Sequence, residues 1–365
     1  MTTLKSLNLE YNPFKEITPS KDADSLIWAE MADVKTKLEK AYKDCITNNS
    51  KQIVLNWGPY GGGKTFSAYY FIKENKAKEG VTQIYLRCPK DGAKSTDELF
   101  KSIIDDLSFD KIHYQIKYLL NKHGEEKVLN FLVPKASREY AKAICLIGSE
   151  DDDIRDMMNR FLYVGLTKTE LKKLGLAKDI QTDTDSIKFI AALLSCFIGD
   201  KTISNGRVVL WIDEMEDLIY YSPKHYKIFS QVLRDLFDSI SDGFLTFMNF
   251  TLAENEESTI ELILGGAVWS RINKKIRYKQ FTEVNATIYC KELLNYSKIN
   301  KDDIKPLDDS LINKMLEIIP DSNLTPREIN KHFTSLLNFA IENEDKKIDA
   351  NVFNSWLSEY AEDQG

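Results

Sequence analysis

The sequence predicts an α/β protein in which helices cover both faces of a parallel five-stranded sheet. Short apolar runs alternate with helical stretches along the chain, which is typical of this class. The run at 208–212, VVLWI, is apolar at every position, as expected of a strand that is buried on both sides. A glycine-rich loop follows the first apolar run and precedes a helical stretch, which indicates a strand–loop–helix unit.

Five apolar or β-rich segments are strand candidates. They lie at 52–57, 82–89, 208–212, 244–250 and 275–281. From about Lys94 to Thr202 the chain shows mostly helical periodicity and no strong strand signal. We therefore predict a long helical insertion between two strands of one sheet.

The chain after Phe281 is predicted to be helical throughout. Its clearest helix begins at Thr325, a natural N-cap, with Pro326 at the first helical position and Glu328 completing a capping box. Before the sheet, two prolines and several turn formers precede a helical stretch. The predicted organisation is an N-terminal arm and helix at 1–50, a core at 51–282 with the insertion at about 94–202, and an all-helical C-terminal domain at 283–365.

Composition limits the possible functions. With 43% hydrophobic residues the chain can build a real core, and its net charge of -7 argues against a general nucleic-acid coat. The five cysteines are scattered, so neither a zinc site nor a disulfide framework is expected. The N-terminus has no apolar signal core, and the longest apolar run, at 189–199, is about half of what a bilayer needs. We expect a soluble cytoplasmic protein that does not contact a membrane.

The glycine-rich loop at 58–65 reads GPYGGGKT and fits the pattern G-x-x-x-x-G-K-[ST]. Its glycines allow backbone N–H groups to approach phosphate oxygens, and the helix that follows adds the positive end of its dipole. Lys64 is expected to reach the β- and γ-phosphates, and Thr65 to coordinate Mg²⁺. The alternative is a simple glycine-rich turn. We predict an ATP site formed by Gly58, Pro59, Tyr60, Gly61, Gly62, Gly63, Lys64, Thr65 and Phe66.

Two carboxylates follow the third strand candidate. At the carboxyl end of a parallel strand, Asp213 is expected to lie opposite Thr65 and to hold Mg²⁺, with Glu214 placed to orient and deprotonate an attacking water. A kinase must keep water away from the γ-phosphate, so this pair favours a hydrolase over a small-molecule kinase. The alternative is a solvated acidic turn, because Glu216 and Asp217 are acidic as well.

With these motifs in this order, the chain resembles the AAA+ P-loop ATPases, and most closely their origin-recognition and initiator branch. After the catalytic strand that branch typically has a helix ending in L-x-x-L-F-D, a strand, and a helix ending in V-x-S-R. Here SQVLRDLFDSI, FLTFMNFT and GGAVWSRINKKI follow in that order. The resemblance covers roughly 55–88 and 207–340, leaves out the insertion, and implies that 283–365 is a helical lid over the nucleotide.

The resemblance also implies roles for residues outside the two main motifs. Asn249 matches sensor 1, a polar residue that helps to position the attacking water, with Thr251 as the alternative. Arg327, in the segment TPREI, matches the sensor 2 arginine that reaches the γ-phosphate from the lid. The segment YNPF resembles an arm that packs near the adenine, which makes Tyr11 or Phe14 a candidate for stacking on the base. The alternative is that these aromatic residues are simple packing anchors.

The resemblance also implies an arginine finger. Such a residue stabilises transition-state charge in the site of a neighbouring subunit. Arg271, in the segment WSRI, is the first candidate, and Arg277 and Arg234 are its rivals. If any of the three acts in trans, the active form is a homo-oligomer or a hetero-oligomer with a partner protein.

Two functions from different classes remain open. The first is an ATP-driven assembly switch that acts on double-stranded DNA or on a DNA-associated partner, as in replication initiation, transposition or phage defence. The basic segment at 271–279 could serve it, although a subunit contact or a solvated edge explains that segment equally well. The second is a signalling or sensor ATPase whose insertion binds a protein effector without DNA, which the acidic balance supports. The expected lack of a C-terminal winged helix resembles transposition regulators, and the long insertion before VVLWIDEMEDL resembles phage-exclusion ATPases.

Overall fold

The structure is a computed structural model of the 365-residue chain. It describes residues 3–20, 26–76, 78, 80–199, 202–253, 256–303 and 306–364. The part of the predicted arm at 21–25 therefore lies outside the described residues.

The described residues form one parallel five-stranded sheet, as the apolar runs predict. Its strands are β1 (Gln52–Gly58), β2 (Val81–Arg87), β3 (Arg207–Asp213), β4 (Phe244–Thr251) and β5 (Lys274–Arg277). Their order across the sheet is β2-β3-β4-β1-β5. Because every strand runs in the same direction, the polar residues at the strand ends meet at one edge.

The fifth strand is shorter than the predicted segment 275–281. The Tyr278 amide still binds the Trp57 carbonyl at 2.7 Å, but the chain then leaves the sheet. Three residues later the Phe281 amide binds the Leu324 carbonyl at 3.1 Å. This segment therefore turns from the sheet toward the C-terminal helices instead of lengthening the edge strand.

Helices account for most of the remaining described residues. The stretch from 94 to 202 contains α3 to α9 and confirms the helical insertion, and α12 to α15 form the helical C-terminal part. The bounds are α1 Ala32–Ile46, α2 Lys64–Glu74, α3 Ser95–Leu107, α4 Phe109–His123, α5 Glu125–Leu132, α6 Arg138–Ile147, α7 Asp152–Tyr163, α8 Lys168–Leu174, α9 Asp183–Ile198, α10 Pro223–Ser239, α11 Glu257–Trp269, α12 Glu283–Ser297, α13 Asp309–Glu317, α14 Pro326–Glu342 and α15 Ala350–Gln364.

The sheet separates two apolar cores. Val209 and Trp211 of β3 belong to the core shared with α1, α2 and the C-terminal helices. Leu210 and Ile212 belong to the core shared with the insertion, α10 and α11. This division follows from the alternation of side chains along a strand. It places Asp213 on the same face as Trp211, toward α2.

The N-terminal arm is fastened to the C-terminal helices. The ring of Phe14 is fully buried and stacks on Phe333 with ring centroids 4.6 Å apart. The Thr334 hydroxyl donates to the Phe14 carbonyl at 2.9 Å, and the Asn330 amide donates to the Glu16 carbonyl at 3.0 Å. Phe14 is therefore a packing anchor, and the expectation that it could stack on a base is wrong because its ring is enclosed.

The start of α14 matches its predicted cap only in part. The Thr325 hydroxyl accepts the Glu328 amide hydrogen at 3.5 Å, and Pro326 occupies the first turn. The reciprocal bond of a capping box, in which the Thr325 backbone N–H donates to the Glu328 carboxylate, is not formed among the described residues. Thr325 is buried against the glycine loop: a Cβ at Gly61 would lie 2.9 Å from its hydroxyl oxygen.

All five cysteines are buried free thiols, as expected. Within the part of the chain that the structure describes, no helix is both long enough and apolar enough to cross a membrane.

Candidate functional site

The glycine loop joins β1 to α2 at the carboxyl edge of the sheet. Gly61 and Gly63 adopt φ values of 74° and 93°, a region that residues with a Cβ rarely occupy. An added Cβ at Gly61 would also lie 2.8 Å from the Cβ of Arg327. The Gly62 amide donates to the Pro59 carbonyl at 3.1 Å, which closes the turn. The pattern of glycines is therefore required by the backbone and by the close approach of α14.

Lys64 points back into this loop. Its ammonium group donates to the carbonyl oxygens of Gly58 at 2.9 Å and Pro59 at 2.8 Å, and the residue is only 6% exposed. Burial lowers the pKa of Lys64 to about 8, although the carboxylates of Glu216 and Asp213 act in the opposite direction. A buried ammonium group whose hydrogen-bond partners among the described residues are carbonyl oxygens fits a site for a phosphate anion.

A hydrogen-bond network centres on the buried Asp213 carboxylate. The Thr65 hydroxyl donates to its Oδ2 at 2.7 Å, and the Tyr85 hydroxyl donates to the same oxygen at 2.8 Å. The Asn249 amide donates to its Oδ1 at 3.1 Å and in turn accepts from the Asn56 amide at 2.9 Å. The structure thus brings together the predicted residues Thr65, Asp213 and Asn249. A hydroxyl beside a carboxylate is a set of oxygen ligands that suits Mg²⁺.

Sequence reasoning missed three residues of this neighbourhood: Tyr85, Arg87 and Asn56. Burial, together with the adjacent Asp213 carboxylate, raises the pKa of Tyr85 far above its ordinary value, so its hydroxyl stays protonated and donates. Asn56 is fully buried between apolar neighbours of β1. A single asparagine in an apolar strand was the available signal, because a buried amide needs polar partners.

Glu214 follows β3 in a left-handed conformation, with φ 58°. Its Oε1 lies 3.5 Å from Nε of Arg87, at the end of β2. Burial raises the pKa of Glu214, and the Arg87 guanidinium opposes that rise. The Glu216 carboxylate accepts the Thr251 amide at 2.8 Å, whereas Asn249 contacts Asp213. The geometry therefore places Asn249, rather than Thr251, on the carboxylate network.

Arg327, in the first turn of α14, lies over the glycine loop. Its guanidinium carbon is 4.1 Å from the ring centroid of Tyr60, and its Nε donates to the Ile17 carbonyl at 3.2 Å. The arm, the glycine loop and α14 enclose a cleft of about 340 Å³. Phe66 and Tyr11 also line this cleft. Its volume falls in the usual range for small-molecule and cofactor sites.

The three finger candidates lie elsewhere, and none of them is among the described residues that line the cleft. Arg271 precedes Asn273, whose amide binds Ile53 near the start of β1. By strand rise this is roughly 17 Å from Gly58. The Arg271 guanidinium binds the Asp238 carboxylate through two bonds of 2.6 and 2.5 Å. Arg234 forms an ion pair with the Asp235 side chain. Arg277 lies opposite Trp57 in the pairing of β5 with β1.

The strand order, the glycine loop after β1 and the helical C-terminal part form a fold that this chain shares with solved structures of ORC proteins. The chain is similar to the Aeropyrum pernix ORC2 protein in its ADP form, with a TM-score of 0.53 and 10% identity over 96% of this chain and 73% of that one. It is similar to the A. pernix ORC1 protein in complex with DNA, with a TM-score of 0.52 and 12% identity over 94% and 71%. It is also similar to Drosophila ORC bound to DNA, with a TM-score of 0.50 and 8% identity over 96% and 67%. No protein-family model and no curated protein matches the sequence.

Proposed function

We propose that this chain is a Mg²⁺-dependent ATPase. The observation that carries the proposal is the 2.7 Å bond between the Thr65 hydroxyl, at the start of the glycine-loop helix, and the Asp213 carboxylate, at the end of β3. The two motifs are 148 residues apart and meet as a nucleotide site requires. The buried Lys64 ammonium beside them supplies the cation for the phosphates.

The residues of the site have separate roles in this proposal. Thr65 and Asp213 hold Mg²⁺, which when bound offsets the charge that develops on the phosphates. Lys64 and the loop amides bind the phosphate oxygens. Glu214 accepts a proton from the attacking water, and its raised pKa makes it a stronger base than an exposed glutamate. Asn249 orients that water, while its own amide group is fixed by Asn56 and Asp213.

Nucleotide binding and phosphate release test this proposal directly. The purified chain is expected to bind a fluorescent ATP analogue more tightly with Mg²⁺ than with EDTA, and to release phosphate from ATP. AMP should compete weakly, because the loop contacts lie at the β- and γ-phosphates. The absence of both binding and phosphate release would contradict the proposal.

The finer function that we propose is an ATP-driven switch of an oligomeric assembly that acts on DNA or on a DNA-associated partner. Each of the three solved structures compared above is of an ORC protein, and two of them contain DNA, which supports this proposal. Roles in replication initiation, transposition or phage defence, and a cytoplasmic location, remain predictions within it. ATPase rates with and without double-stranded DNA, measured together with particle mass, test the switch. DNA stimulation and a nucleotide-dependent increase in mass are expected.

One observation favours the alternative, a sensor ATPase that binds a protein effector without DNA. Cations of the basic segment at 271–279 are neutralised within the chain. Lys275 pairs with Glu257 at 2.8 Å, Lys274 with Asp44 at 2.5 Å, and Arg271 with Asp238. Such cations are less available to phosphates than free ones. A nucleotide-dependent protein complex without any response to DNA would support this alternative.

Arg327 gives a prediction about ATP binding by a single chain. Replacing Arg327 by alanine is expected to weaken ATP binding about tenfold, because a cation directed at the glycine loop is lost. Binding of the fluorescent ATP analogue measures the effect. Lys331→Ala, one turn further along α14 and exposed, is the matched control and should bind normally. Equal affinities in the two variants would show that Arg327 has no role in the site.

A second prediction concerns Arg271. If it acts on a neighbouring subunit, Arg271→Ala is expected to reduce the ATPase rate of the assembled form at least tenfold, while ATP binding by the dilute chain stays unchanged. Arg234→Ala and Arg277→Ala serve as comparison variants under the same conditions. Full activity of Arg271→Ala in the assembled state would exclude it as the finger. A selective loss in one of the other two would transfer the role to that residue.

A further inference from the structure

The Asp213 carboxylate accepts hydrogen bonds from three elements of the fold. Thr65 donates from α2, Asn249 from β4 and Tyr85 from β2. In the β2–β3 register Tyr85 is opposite Trp211, and Arg87 is opposite Asp213. Paired residues of parallel strands point to the same face, so Tyr85 lies beside Asp213 on the α2 side of the sheet.

Two of these three donors have another task in the proposed reaction. The Thr65 hydroxyl is a ligand for the metal, so it cannot be relied on to hold Asp213 once Mg²⁺ is bound. Asn249 is the residue that orients water. Tyr85 is assigned no such task in the proposed reaction. Like Asn249, it is not among the described residues that line the nucleotide cleft. Its hydroxyl therefore contacts the Asp213 carboxylate from outside the cleft lining.

The Tyr85 ring is itself fixed by packing. It lies against the ring of Tyr69, with centroids 4.8 Å apart, and Tyr69 belongs to α2, the helix that starts with Lys64 and Thr65. The Tyr85 amide is held on its other side by the Asp106 carboxylate of α3 at 3.3 Å. A donor that is fixed by both neighbouring elements can set the orientation of the group that it binds.

We propose that Tyr85 is the positioning residue of the metal site: its hydroxyl holds Oδ2 of Asp213 toward the start of α2, so that Mg²⁺ binds with the nucleotide. This inference rests on the ATPase function proposed above. It gives a residue of β2, which lies outside both the glycine loop and the acidic motif, a role in metal binding. Partners that orient a metal ligand typically change metal affinity 10- to 100-fold when they are removed.

Replacing Tyr85 by phenylalanine removes only the hydroxyl and tests this role. Mg²⁺ is titrated into the protein with a fluorescent ATP analogue, in a Glu214→Gln background so that hydrolysis does not interfere. The Mg²⁺ concentration at half-maximal effect is expected to rise about tenfold. Analogue binding in EDTA should stay within about twofold of the parent protein, because Tyr85 is not among the described residues that line the nucleotide cleft.

Tyr140→Phe is the matched control, since Tyr140 is a buried tyrosine of the insertion whose hydroxyl donates to the Asp179 carbonyl, and it is not among the described residues that line the cleft. It should leave the Mg²⁺ midpoint unchanged. If Tyr85→Phe fails to fold, Tyr85→Met keeps most of the volume without the donor and carries the same expectation. An unshifted Mg²⁺ midpoint overturns the inference, and so does an equal loss of binding with and without Mg²⁺. If the unsubstituted protein binds no nucleotide in either condition, the proposed ATPase function itself fails.

Discussion

ATP turnover is expected to fall by about 10²- to 10⁴-fold when Glu214 is replaced by glutamine, whereas ATP binding is retained. Glutamine has nearly the same shape but cannot accept the proton of the attacking water. The side chain is half-buried, close to Arg87 and next to the Asp213 network, so the substitution changes charge with little change in packing. Phosphate release and analogue binding, measured on the same preparation, give the two quantities.

Asp217→Asn is the matched control for this substitution. Asp217 is three residues further along, also lines the cleft, and likewise loses a charge without losing volume. Its turnover should stay within a few-fold of the parent rate. Normal turnover by Glu214→Gln would remove Glu214 from the reaction and leave the solvated acidic turn as the better interpretation of this segment.

Replacing Lys64 by alanine is expected to weaken ATP binding at least about a hundredfold. A buried cation that is paired with an anion contributes far more than an exposed one, because its removal leaves the phosphate charge without a partner in a poorly solvated site. Lys64 is 6% exposed, and within the described part of the chain its hydrogen bonds go to the loop carbonyls of Gly58 and Pro59. Titration with the fluorescent ATP analogue measures the loss.

Lys73→Ala, near the other end of the same helix, controls for a lost lysine in α2. It is expected to bind the analogue with the parent affinity. Thermal unfolding of both variants in the absence of nucleotide shows whether either substitution damages the fold. A Lys64→Ala protein that is folded and binds ATP normally would mean that the glycine loop does not hold the phosphates.

The sheet and the two main motifs could be predicted because each depends on neighbouring residues in the sequence. A strand that is buried on both faces must be apolar at successive positions, and 208–212 shows this directly. The glycine loop needs particular φ values at Gly61 and Gly63, which restricts the residues that can stand there. The start of α14 could be located for the same reason, from its N-cap and proline.

The rest of the site depends on contacts between distant segments. Tyr85 meets Asp213 only because β2 pairs with β3 in one particular register across 128 residues of sequence. The pairing of Arg271 with Asp238 likewise follows from how α10 packs beside α11. No periodicity in the sequence encodes either contact. The early end of β5 also depends on a distant contact, because the Phe281 amide binds the Leu324 carbonyl in the C-terminal part instead of continuing the sheet.

The insertion has a consequence for anyone who redesigns this protein. Helices α3 and α9 contact β2 and β3, and Ile84, Leu86, Leu210 and Ile212 are buried in the same apolar core as the insertion. Exposing each such side chain to water costs about 1.5–3 kcal/mol of stabilising free energy. A chimaera that replaces residues 94–202 by a short linker would therefore strip one layer from the sheet. A transplanted segment would have to bring an apolar surface of matching shape. Residues 94–202 are therefore part of the core and cannot be replaced independently of the sheet.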